Sequence, residues 1–174
     1  MTSILKVDSI QKANGSVPTA KDVGLNVVGN VLQVGNSQSM TQVTTTVTDL
    51  TNATETGLAV TITPSSTSSK MLIVINASLQ GTGGAYVNSL LKRDSTFVPI
   101  VSGQASAGVM SYAFNPSSMV SGRGSYSFLD SPATTSAITY KFCITRYGGS
   151  GTGKMNSNTN NLDLSSMFVM EIAQ

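Results

Sequence analysis

Ile138-Thr139-Tyr140-Lys141-Phe142-Cys143-Ile144-Thr145 alternates large apolar residues with polar or small ones at every second position. A strand turns successive side chains to opposite faces, so this pattern gathers Ile138, Tyr140, Phe142 and Ile144 on one side and Thr139, Lys141, Cys143 and Thr145 on the other. A helix would scatter the same residues around its axis. The segment is predicted as a strand with one covered face, and the chain around it reads in the same way.

Upstream, Val43, Thr45 and Val47 alternate with Thr44, Thr46 and Thr48, and Leu58, Val60 and Ile62 repeat the pattern before Pro64 and a Ser/Thr cluster end the run. Met71-Leu72-Ile73-Val74-Ile75 is apolar throughout, which predicts a strand covered on both faces, either central in a sheet or at a subunit interface. Tyr86–Arg93 and Phe97–Val101 flank Asp94-Ser95-Thr96, a hairpin signal. Val109–Phe114, Ser125–Leu129 and Ser166–Ala173 are further strand candidates, the last apolar on both faces at Met167–Met170. No window carries a 3.6-residue period. About eight short strands at regular spacing predict an all-β chain, an antiparallel β-sandwich of jelly-roll type.

Residues 1–35 differ. They hold short apolar runs broken by Lys6, Asp8, Lys12, Lys21 and Asp22, with turn signals at Asn14-Gly15 and Val17-Pro18. The segment is too short to bury a core, so it is predicted as an extended N-terminal arm, with residues 36–174 as the head domain.

Composition narrows the function. Only 10% of residues are charged, the net charge is +2, and 40% are hydrophobic. A surface so poor in charge is expected to be covered by neighbouring copies. The 26 Ser and 21 Thr suit pleated surfaces and the loops between them. No Lys/Arg run with interleaved aromatics marks a nucleic-acid partner. No apolar run approaches the ~20 residues of a membrane span. No signal-peptide pattern opens the chain, so synthesis in a cytosol is expected. The sequence has no His and one Cys, which removes the commonest general base and metal ligand and any disulfide framework.

Several motifs invite a chemical reading. Gly148-Gly149-Ser150-Gly151-Thr152-Gly153-Lys154 matches the first part of a phosphate-binding loop, but Met155 stands where the magnesium-binding hydroxyl belongs and no helix pattern follows. A loop joining the last two strands is the simpler expectation. Asp49, Glu55, Asp94 and Asp130 lie in or beside turns, where Asp ordinarily bonds backbone amides rather than forming a glycosidase pair. No calcium loop of the EF-hand type is present. Cys143 has no His to activate it and is expected to be a buried or interfacial small hydrophobe. Ser121-Gly122-Arg123-Gly124-Ser125 reads as a loop. No catalytic residue, metal or cofactor is therefore assigned. Tyr86, Tyr112, Arg123 and Tyr147 are the candidate receptor-facing residues, within or beside exposed loops expected around 81–85, 102–108, 115–124 and 148–161.

These pieces together resemble a known family. Met1-Thr2-Ser3-Ile4-Leu5-Lys6-Val7-Asp8-Ser9-Ile10-Gln11 with Asn14-Gly15 is similar to the opening of fibre and structural proteins of marine and freshwater phages, cyanophages above all. The order continues with Thr56–Lys70 leading into an apolar strand, Leu91-Lys92-Arg93-Asp94, Leu129-Asp130-Ser131-Pro132, Thr134–Tyr140 and Met170-Glu171-Ile172. The resemblance implies a virion protein, made in the host cytoplasm, whose arm attaches to other virion proteins of baseplate, tail or capsid. It implies a head that forms a homotrimer and faces the host surface, a glycan or a protein. It carries over no catalytic residue. On that reading Ile4, Leu5, Val7, Ile10, Leu25 and Val27 hold the arm to the particle, and Leu72, Val74, Phe168 and Met170 line the trimer interface. A long fibre would carry a repetitive shaft between arm and head. This chain has none, which leaves a short fibre and, as the alternative, a capsid decoration protein without receptor binding.

Overall fold

The computed structural model describes residues 11–17, 28–98, 110–112, 120–157 and 163–174, with backbone alone at 110–112, 120 and 121. Among them are eleven strands and no helix: β1 Val31–Ser39, β2 Val43–Thr45, β3 Thr54–Ile62, β4 Lys70–Gly81, β5 Tyr86–Arg93, β6 Thr96–Phe97, β7 Met110–Tyr112, β8 Val120–Asp130, β9 Ile138–Tyr147, β10 Gly153–Met155 and β11 Ser165–Ile172.

Pairing is antiparallel throughout and follows a nested plan. The first long strand pairs the last (β1 with β11), then β3 pairs β9, β4 pairs β8 and β5 pairs β7. A long hairpin rolled up in this way lies down as two sheets, β1-β11-β4-β8 and β3-β9-β5-β7. That is the jelly-roll order, so the all-β sandwich expected from periodicity is the observed fold. The short β10 continues along β4 where β11 stops and carries β2 on its outer side, while β6 closes a tight hairpin onto β5.

The core lies between the sheets. From the first come Met71, Ile73, Ile75, Leu79, Met155, Met167 and Val169; from the second come Leu58, Val60, Val87, Leu91, Tyr140, Phe142 and Ile144. The 138–145 alternation is realised as expected, with Tyr140 and Phe142 inward. Cys143, on the opposite face, is nevertheless buried. The crossing from β2 to β3 lays Leu50 and Ala53 over it, beside Leu90 and Phe97, as a second small cluster. Gly35 permits the sheets to close at the β1/β3 side, since a Cβ there would stand 2.5 Å from Val60 Cγ1.

Three boundaries differ from expectation. The division at 35/36 cuts a strand, because β1 already runs from Val31 and pairs with β11. Short apolar steps broken by Gly and Asn look like an arm, yet an edge strand needs only one covered face. Residues 120–124, expected as an exposed loop, belong to β8 and pair with Gly81–Ala77. The Gly and Ser of that stretch suggest a loop, but the twelve-residue β4 offers a backbone partner along its whole length. Beyond Thr45 the predicted strand at 43–48 leaves the sheet to become the cover over Cys143.

Candidate functional site

Strand register gives the sandwich two distinct ends. Val31, Lys70, Asp130, Ile172, Ile62, Ile138 and Arg93 cluster at one, which is also where the chain enters β1. Gly81, Val120, Tyr86, Tyr147 and Gly153 stand at the other. We call these the base and the tip.

The tip is built from two glycine-rich turns pressed together. Thr82 N donates to Thr152 O at 3.0 Å and Ser150 N to Gly83 O at 3.3 Å. A Cβ at Gly151 would lie 1.7 Å from Thr82 O, so backbone meets backbone with no room for a side chain. Arg146 Nη1 donates to Gly149 O at 2.9 Å and Gly151 O at 3.3 Å, tying the turn from within. The phosphate-loop-like motif is thus a β9–β10 turn, followed by a strand carrying Lys154 rather than a helix. Tyr86 and Tyr147 are cross-strand partners here, with ring centroids 6.2 Å apart at 52°, and Tyr147 is 62% exposed. Tyr112 sits beside them on β7, paired through its backbone with Val87. Its side chain lies outside the described residues. Arg123 does not join this group. It projects from β8 on the other sheet, where Nη1 donates to Leu164 O at 3.1 Å.

The base carries the apolar outer face. Leu72, Val74, Phe168 and Met170 alternate with buried neighbours on β4 and β11 and point away from the core, in register as Met170–Leu72 and Phe168–Val74. Two residues missed by sequence reasoning extend the row: Val34 lies opposite Met170 and Leu129 opposite Leu72. They are 58% and 61% exposed. Four strands therefore present the continuous apolar line Val34–Met170–Leu72–Leu129. The opposite outer face of the sandwich is polar, with Lys141 Nζ on Glu55 Oε1 at 2.9 Å and Thr61 Oγ1 against Thr139 Oγ1 at 2.8 Å. A strand-by-strand alternation count could have found Val34 and Leu129, but only the register puts them in one row.

The acids are engaged within the fold. Asp49 accepts from Thr51 N and Asn52 Nδ2, and Asp94 accepts from Thr139 N. Asp130 takes both Arg93 Nη1 and Tyr140 Oη at 2.6 Å, clasping the two sheets at the base. Burial, reinforced by the adjacent Asp130 carboxylate, pushes the Tyr140 hydroxyl far above its usual range. Burial opposes the Arg93 cation, but Asp130 outweighs it and raises the guanidinium further. Burial likewise lifts the Cys143 thiol to about 11, leaving it protonated and inert at neutral pH.

Glu171 was not singled out by its sequence context. Its side chain is fully buried at the base, where the carboxylate accepts from Gln33 Nε2 at 2.6 Å, Ser65 Oγ at 2.6 Å and Ser65 N at 2.7 Å. Burial alone would raise its pKa. The donors from Ser65, Ser69 and Gln33 prevail and hold it below the ordinary glutamate value. A depressed folded-state pKa contributes stability that is complete above the unfolded value, about 4.3, and is lost as pH falls through the folded one. Urea denaturation midpoints should therefore fall as pH is lowered from about 5 to 3. Glu171→Gln should be less stable at neutral pH and show a shallower decline over that window.

The arm residues Ile4, Leu5, Val7, Ile10, Leu25 and Val27 lie outside the described residues. Among the described residues no group of three or more His, Cys, Asp or Glu is placed to hold a metal ion. No protein-family model matches the chain, and neither does any curated protein. Among solved structures, the VP2 subviral particle of infectious bursal disease virus is similar over 82% of this chain, with 9% identity and a TM-score of 0.36. The T13 particle of the same virus is similar over 83%, with 11% identity and a TM-score of 0.36. The chain spans 38% and 36% of those proteins, little more than a third of their length. The jelly-roll assignment stands on the strand order of this chain itself.

Proposed function

We propose that the chain is a structural subunit of a virus particle, a short-fibre protein that presents its head for host adsorption and catalyses nothing. The observation that carries this reading is the polarity of the head. Chain entry and the apolar face lie toward the base, while closely packed glycine-rich turns and an exposed tyrosine occupy the tip. Such a molecule is suited to being held at one end and presented at the other. The residues before β1 attach to other virion proteins by strand addition or intertwining. Three copies meet through Leu72, Val74, Phe168 and Met170, extended by Val34 and Leu129. Weak contacts of three tips with a host surface glycan or protein then add through avidity.

Two measurements test it. Purified protein should compete with virions for host adsorption, and loss of adsorption block would sink the receptor role. Light scattering coupled to size exclusion should give three times the chain mass. Leu72→Asp with Phe168→Asp should reduce that to a single chain while circular dichroism stays β-rich, because both side chains point outward from an intact core. A variant that stays trimeric would move the interface elsewhere. The lack of a shaft also suits a capsid decoration protein. Antibody labelling of virions separates the two, since decoration predicts label over the capsid surface and no adsorption block.

A further inference from the structure

The residues that lead into β1 and those that follow β11 meet at the base. Gly29 N donates to Ala173 O and Ala173 N to Asn30 O, both at 2.9 Å. From there β1 runs toward the tip, in register with β11 at eight positions from Val31–Ile172 to Ser39–Ser165. β2 continues in the same direction along β10 and ends with Thr45 opposite Gly153 at the tip. One line of chain therefore climbs the larger sheet from base to tip, and its backbone hydrogen bonds to β11 and β10 stand perpendicular to it.

This geometry responds differently to two directions of tension. Tension between base and tip draws β1 along its own length, so all eight pairs must yield together. Tension that separates β1 from the end of β11 opens the ladder crosswise from Gly29–Ala173, one pair at a time.

Three features oppose lengthwise sliding in particular. Strand faces repeat every second residue, so β1 can slide only in steps of two. One step toward the base brings Ser37 into the place of Gly35, where a Cβ would stand 2.5 Å from Val60 Cγ1. Near the base, Gln33 Nε2 donates to Thr63 O and to Glu171 Oε2, each at 2.6 Å. Toward the tip, Asn156 Nδ2 donates to Ser39 O at 2.8 Å and Thr41 O at 3.2 Å. Asn156 is itself fixed to β4 and β11: its N donates to Ser78 O at 3.0 Å, and its Oδ1 accepts from Ser165 Oγ at 2.6 Å. β1 is thus fastened near both ends and caught sterically in the middle.

We infer that β1 is a mechanical clamp, the strand through which tension on the arm passes lengthwise into a head whose tip is held. This role rests on the reading of a head anchored at its base and bound at its tip, because that arrangement loads β1 in its strong direction. The strength itself belongs to a single head and needs no virion, trimer or receptor.

Single-molecule force spectroscopy of the full chain, with handles on introduced thiols, tests the clamp. Val28→Cys with Ser150→Cys loads the head from base to tip, whereas Val28→Cys with Gln174→Cys pulls β1 away from β11. All three positions are exposed, and the buried Cys143 stays unlabelled. At equal pulling speed the base-to-tip pair should rupture at several-fold higher force. Gln33→Ala should lower that force and leave the crosswise force nearly unchanged, because pairs broken singly gain little from one added bond. Equal forces in the two directions would overturn the inference, as would a base-to-tip force insensitive to Gln33→Ala in a protein that keeps its β-sheet dichroism. Strong anisotropy in a protein that fails to block adsorption would uphold the clamp and remove only the receptor role.

Discussion

Replacing Asp130 by alanine is expected to lower the unfolding free energy by about 3–5 kcal/mol, read as a shift of the urea midpoint. The carboxylate ends β8 on one sheet and receives Arg93 from β5 and Tyr140 from β9 on the other. Its side chain is 11% exposed and that of Arg93 is 30% exposed, so water compensates poorly when one partner is removed. Alanine would strand a half-buried guanidinium and a buried phenol, and the cost of those orphaned groups exceeds the net worth of the bonds themselves. Arg93→Met should be damaging too, but the double variant should lose clearly less than the sum, because neither charge is then left behind. Strict additivity would mean that the three groups do not act as a unit. Asp130→Asn should fall between, since both donors meet the single oxygen Oδ2 and an amide oxygen there still accepts them, but without the charge.

Phe142→Ala is expected to cost about 3–5 kcal/mol by the same measurement. The ring is fully buried on the inner face of β9 and lies 6.2 Å from Tyr126 across the sandwich. Both neighbours belong to a well-packed core that closes only partly over the space left behind. Cys143→Ala, one residue along and equally buried, should cost about 1 kcal/mol. It lies in the small outer cluster beneath the β2–β3 crossing and loses little more than one heavy atom. The contrast between adjacent positions checks the face assignment directly. Similar losses at both would contradict it.

The alternation at 138–145 was legible because a strand's period of two is a local property of the backbone. The apolar run at 71–75 announced coverage on both faces without saying by what. In the fold Met71, Ile73 and Ile75 enter the core, whereas Leu72 and Val74 remain on the outer side of a central strand. Arg123 shows where local reading fails. Glycine and serine on both sides suggest a loop, but a strand is stabilised by its neighbour, and β4 lies more than forty residues away in the chain. The Gly148–Lys154 motif joins β9 to β10 and enters a strand rather than a helix. Its tight packing against Thr82 and Gly83 had no local signal.

The sequence by itself determined the all-β class, the faces of the main strands, the hairpin at Asp94 and the candidate apolar residues, since each depends on spacing within a few residues. The tertiary structure alone decided the nested strand order, the row from Val34 to Leu129, the Asp130 clasp and the burial of Glu171. Each of these joins residues that are distant in the chain, and side-chain periodicity carries no information about which strand will become a neighbour.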